Sequence, residues 1–88
     1  MSPNSKNGKN VRINLEFKKD KIAEIDKLMK IGRISTRKEL FDNAITLMKW
    51  FMKAKQSGKA VGFLGKNNTF QEIIMPVLEN ATESSDTL

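Results

Sequence analysis

The chain contains no cysteine and no histidine. Without thiols there is neither a disulfide framework nor a thiolate zinc site. Without imidazole, the commonest general base and the commonest metal ligand are missing as well. A Gly-rich phosphate loop is absent, and so is a pair of carboxylates on an apolar surface, so an enzyme is not expected. Asp20, Glu24 and Asp26 alternate with lysines, as on a solvated helix face. Apolar runs are short: nothing approaches the roughly 20 residues of a membrane helix. Met1 to Asn10 has no apolar stretch of the kind a signal peptide carries. A cytoplasmic protein with no membrane partner, no cofactor and no metal is therefore expected. Phe17, Phe41, Trp50 and Phe51 stand where a core would place them, so an aromatic platform for RNA is not expected either.

What is present is basic charge, unevenly spread. All 16 lysines and arginines lie within residues 1–66 together with six acids, a balance of +10, while residues 67–88 hold the other four acids. A basic body with an acidic end suits a polyanionic partner. With 88 residues the chain is one domain at most, too small to bury a generous core alone. Dimerisation is the remaining common way to complete such a core.

Residues 1–9 are polar, carry Pro3 and Gly8, and read as a disordered basic arm, with Lys6 and Lys9 available for non-specific contacts to DNA. The pattern then changes. Val11-Arg12-Ile13-Asn14-Leu15-Glu16-Phe17 alternates apolar and polar without a break, which predicts a half-buried strand. Val11, Ile13, Leu15 and Phe17 share one face; Arg12, Asn14 and Glu16 share the other. Asp20 is placed to cap a helix from Lys21, whose apolar residues Ile22, Ile25, Leu28 and Met29 recur at helical spacing, with Gly32 as its stop. Thr36 and Glu39 have the spacing of a capping box. They open a second helix running to about Gln56, with Gly58 ending it. Its stripe of Leu40, Phe41, Ala44, Ile45, Leu47, Met48, Trp50, Phe51 and Met52 is wider than one short helix and one strand can cover.

Beyond Gly58, two short apolar runs, Ala60–Leu64 and Phe70–Met75, flank Gly65-Lys66-Asn67-Asn68-Thr69. This favours a β-hairpin. The rival is a helix capped by Thr69 and Glu72, opposed by Pro76, which disrupts a helix interior. The expected organisation is thus an arm (1–9), a compact unit (10–57), an extension that is a hairpin in preference to a helix (58–79) and a disordered acidic tail (80–88).

A lone strand leaves backbone donors and acceptors unpaired along both edges. A second copy can pair with it antiparallel about a two-fold axis. The dimer core would then gather Val11, Ile13, Leu15, Phe17, Leu40, Phe41, Ala44, Ile45 and Met48. A two-stranded ribbon fits the B-DNA major groove, where Arg can pair with guanine, Asn with adenine and Glu with cytosine. The amides at the start of the second helix form an anion site, and Arg33, Arg37 and Lys38 add full charges near Thr36. An isolated alternating strand would be no more than a wet face; the neighbouring segments change that weighting.

In order and spacing, Val11 to Phe17, Ile22 to Leu28, Gly32 through Thr36-Arg37-Lys38-Glu39-Leu40, and Ala44-Ile45 resemble the ribbon-helix-helix family of DNA-binding repressors. The resemblance spans residues 11 to about 52. It implies a mainly α fold with a short β-ribbon and an intertwined homodimer. It places Arg12, Asn14 and Glu16 toward the bases and Thr36, Arg37 and Lys38 at a phosphate anchor. Glu16 departs from the family pattern, which has a basic or neutral polar residue there. Two glutamates between phosphate rows are repelled, so Glu16 either demands cytosine, lowers affinity or folds back onto Lys18 or Arg12. The function expected is a sequence-specific transcriptional repressor. Two alternatives stand beside it: an antitoxin whose C-terminal segment binds a toxin protein, and a dimeric interaction module without DNA binding.

Overall fold

The computed structural model describes residues 9–88. The arm of residues 1–8, with Lys6, lies outside the described residues. The order among them is α1 (Lys19–Gly32), α2 (Arg37–Gln56), β1 (Gly62–Leu64), β2 (Phe70–Glu72) and α3 (Pro76–Glu83). The protein is mainly helical with a small antiparallel sheet. Two compact units divide between Arg33 and Ile34.

In the first unit, residues 10–17 form no strand: within one chain the alternating segment has no ladder partner among the described residues. Its apolar side chains stay exposed, Val11 at 83% and Ile13 at 76%. Helix α1 begins at Lys19, earlier than the expected Lys21, and Lys18 is its N-cap without a side-chain bond. Asp20, expected to be the cap, instead occupies the first turn. There its charge still meets the positive end of the helix dipole. Gly32 is the last helical residue, yet the left-handed stop is taken by Arg33, with φ 54° and ψ 45°. The Arg33 amide closes the turn onto the Lys30 carbonyl at 3.3 Å. A non-glycine residue in this region costs about 1 kcal/mol or more. Ile25 is the buried residue of α1; Leu28 and Ile31 are exposed.

The second unit is built on the C-terminal half of α2. That helix stops where Gly58 turns to φ 80°. The Lys59 amide reaches the Ala54 carbonyl (2.9 Å) and the Gly58 amide the Lys55 carbonyl (3.0 Å). This is the Schellman pattern, which satisfies the last carbonyls of a helix. The chain returns as the expected hairpin, with Gly62 opposite Glu72, Phe63 opposite Gln71 and Leu64 opposite Phe70. A further bond from the Ile73 amide to the Val61 carbonyl, 2.8 Å, extends the ladder at its base. The loop closes through Gly65 donating to the Thr69 carbonyl and Asn68 donating to the Gly65 carbonyl. Asn68 holds φ 59°, a position asparagine tolerates better than most residues. Gly62 is required for another reason: a methyl there would overlap the Gln71 carbonyl oxygen and the Phe70 ring.

The C-terminus departs from expectation. Residues 80–83, read as part of a disordered tail, complete α3, and the extension therefore runs past residue 79. Pro76 does not oppose this helix because it stands in the first turn, where its missing amide costs nothing. Helix α3 packs on α2, burying Leu78 (1% exposed) and Ala81 (7%); Val61 (7%), just before β1, is buried too. The last residues are tied down as well. Gln56 donates to the Asp86 carbonyl at 2.6 Å and accepts from the Leu88 amide at 3.3 Å. Acidic composition did not prevent order here because Leu78 and Ala81 give the segment an apolar seam to bury.

Candidate nucleic-acid interface

The candidate groove-reading residues Arg12, Asn14 and Glu16 lie on one short segment and all three are exposed. The alternation puts them opposite Val11, Ile13 and Leu15, which are exposed too (Leu15 59%). Both faces of the segment are therefore wet in the single chain. Fully burying Val11, Ile13 and Leu15 would contribute on the order of 1.5–3 kcal/mol each.

The second part of the candidate site is the start of α2. Thr36 has extended backbone, φ −134° and ψ 155°, and its hydroxyl accepts from the Glu39 amide at 3.1 Å. The Glu39 carboxylate reaches back to the amide of Ser35 at 3.0 Å, one residue before the cap itself. The capping box is therefore present in a shifted form, and removing the Thr36 hydroxyl would cost about 1 kcal/mol. Arg37 and Lys38 are exposed in the first turn. Arg33, the fourth candidate anchor residue, belongs to the other unit, at the left-handed end of α1.

Lys38 is engaged within the helix. Its ammonium lies 2.8 Å from the Asp42 carboxylate, with both side chains well exposed. The hydrogen bond from Lys38 to Asp42, and then the opposite charge, hold the lysine above its ordinary range, so it remains cationic throughout the physiological pH interval. Asp42 is the residue that sequence reasoning overlooked at this site. The i,i+4 spacing of Lys38 and Asp42 was the available signal. A phosphate approaching Lys38 meets a competitor already in place, and the pair is exposed enough to open at little cost.

The candidate dimer core is divided. Leu40 and Phe41 are half-buried, while Ala44, Ile45 and Met48 are exposed, Ile45 at 65%. Leu47 and Trp50 are also exposed, Trp50 at 61%. Helix α2, 20 residues long, has no buried residue in the single chain. No cluster of acidic residues suited to a metal ion occurs among the described residues. No helix among them is long and apolar enough to cross a membrane.

No protein-family model, curated protein or solved structure matches the chain. The functional reading therefore rests on the residues themselves.

Proposed function

We propose that the chain is a sequence-specific DNA-binding regulator of ribbon-helix-helix type. Two copies pair through residues 11–17, and the resulting ribbon presents Arg12, Asn14 and Glu16 to the major groove. The observation that carries this reading is the unfinished state of that segment. It alternates without a break, forms no ladder among the described residues, and leaves Val11, Ile13 and Leu15 exposed. Two features support the same reading: a capped helix start bearing Arg37 and Lys38, and an apolar stretch from Ala44 to Trp50 that nothing in the single chain buries.

In this arrangement the two-fold axis relates identical half-sites, so the target is an inverted repeat. Arg33, Arg37 and Lys38 neutralise phosphates and make binding fall steeply with salt. Glu16 selects cytosine or is repelled, which biases the site against tracts lacking it.

Selection of bound duplexes from a random pool tests the proposal directly, and an inverted repeat is expected among the winners. Arg12→Ala combined with Asn14→Ala should then reduce discrimination by on the order of tenfold or more per lost base contact, while the two-chain species and salt-sensitive binding to mixed DNA persist. Unchanged sequence preference in the double variant would falsify the ribbon as the reader. A flat mobility-shift response to mixed DNA at low salt would remove the DNA-binding function altogether.

A further inference from the structure

The second unit contains a cleft whose cover belongs to the same chain. Helices α2 and α3 border an opening of about 360 Å³. Met52 and Gln56, one turn apart on α2, line it from one side, and Val77 and Ala81, one turn apart on α3, from the other. Met52, Val77 and Ala81 give it an apolar floor. Asp86 and Leu88 line it from the segment that follows α3.

Residues 84–88 leave α3 in extended form, with Ser84 at φ −75° and ψ 143°. The Asp86 amide donates to the Ser84 hydroxyl at 3.0 Å, a bond within the segment itself. The segment is held to α2 through Gln56. The Gln56 carboxamide donates through Nε2 to the Asp86 carbonyl at 2.6 Å and accepts at Oε1 from the Leu88 amide at 3.3 Å. Donor and acceptor share the tip of one side chain, so a single residue holds a carbonyl and the amide two positions on. Both bonds address backbone groups, across 30 and 32 residues of sequence.

This hold is weak. Residues 84–88 are all exposed, Leu88 at 56%, so closure removes little apolar surface from water. Two hydrogen bonds, each of modest net value, favour the closed segment on the order of 10–100-fold. That leaves roughly 1–10% of molecules open, the range of a minor state that exchanges with the major one. Helix α3 is seated by other means: Leu78 is 1% exposed against α2, and Pro76 starts the helix. Release of residues 84–88 therefore leaves α3 on α2.

We infer that residues 84–88 are a strap over the cleft between α2 and α3, latched by Gln56 and opening locally while both helices stay folded. Closed, the strap denies the apolar floor to any other segment or molecule. Open, it bares that floor at Met52. The latch lies within the second unit and is independent of the pairing proposed for residues 11–17.

Amide exchange of the full chain by NMR tests the strap, comparing wild type with Gln56→Leu, which removes both latch bonds and keeps an apolar stem. In wild type the Leu88 amide should exchange on the order of 10–100-fold more slowly than in an unstructured peptide of the same sequence. In Gln56→Leu that protection should vanish, and backbone order parameters of residues 85–88 should fall below about 0.6. Amides of α2 and α3 should keep their exchange rates. Oxidation by hydrogen peroxide reads the cleft separately: sulfoxide should form severalfold faster at Met52 in the variant, with Met75 unchanged.

A wild-type Leu88 amide that exchanges at the peptide's rate overturns the inference. So does protection that survives in Gln56→Leu. Protection that rises with protein concentration overturns it too, since the strap would then come from a second copy. Faster exchange throughout α3 in the variant would mean that the segment supports the helix and does not open by itself. An unchanged rate of Met52 oxidation would mean that the strap does not gate the cleft. Either result also defeats the inference.

Discussion

Residues 11–17 and residues 62–72 are both apolar segments of strand character, yet among the described residues only the second forms a ladder. The hairpin has a Gly/Asn-rich loop between its halves, so its closure is short and entropically cheap. Val61, just before its first strand, is buried as well. The earlier segment runs directly into Lys18 and α1, with no turn to fold it back on a neighbour. Similar local chemistry thus leads to opposite outcomes. The hairpin's backbone is paired by its own chain, while Val11, Ile13 and Leu15 stay exposed.

The sharpest way to break that comparison is Leu78→Ala. Leu78 is 1% exposed between α3 and α2, and its truncation should cost about 3 kcal/mol. Amide exchange in the hairpin and α3 should accelerate about 100-fold while the pairing proposed for residues 11–17 is unaffected. If sedimentation shows that association lost as well, the two halves are not independent.

A smaller effect is expected at Lys55. Its ammonium sits between Glu72 and Glu79, linking α2 to β2 and α3. Both acids are around half exposed, so solvent screening limits the contribution. Lys55→Met keeps the apolar stem and should lower stability by about 1 kcal/mol in urea unfolding. A neutral or stabilising result would show that apolar packing alone completes this body.

The smallest expected change has the opposite sign. Arg33 holds a left-handed backbone conformation at the end of α1 that glycine adopts more readily. Arg33→Gly should raise stability by roughly 0.5–1 kcal/mol. It should also weaken DNA binding and flatten the salt dependence by about one unit per lost phosphate contact. A stabilised variant with undiminished affinity would take Arg33 out of the phosphate anchor and sharpen the assignment to Arg37 and Lys38.

Much of this architecture was legible in the chain. The positions of Ile22, Ile25, Leu28 and Met29 marked α1, Thr36 and Glu39 marked the start of α2, and Gly58 its end. The loop at residues 65–69 marked the hairpin. These are local signals, set by periodicity, caps and turn chemistry within a few residues. The details that escaped depend on finer competition. The Glu39 carboxylate chose the Ser35 amide, Arg33 took the left-handed position beside a glycine, and Asp42 claimed Lys38.

The sequence by itself determined where helices and turns begin and which faces are apolar, because backbone sterics and side-chain spacing act over short range. Only the tertiary structure decided that residues 76–83 fold as a helix, that Lys55 joins two acids from separate elements, and that Gln56 holds Asp86 and Leu88. Those outcomes rest on contacts between residues far apart in the chain. The acidic C-terminal segment becomes ordered only when Leu78 and Ala81 find α2 to pack against, and no window of local sequence contains that surface.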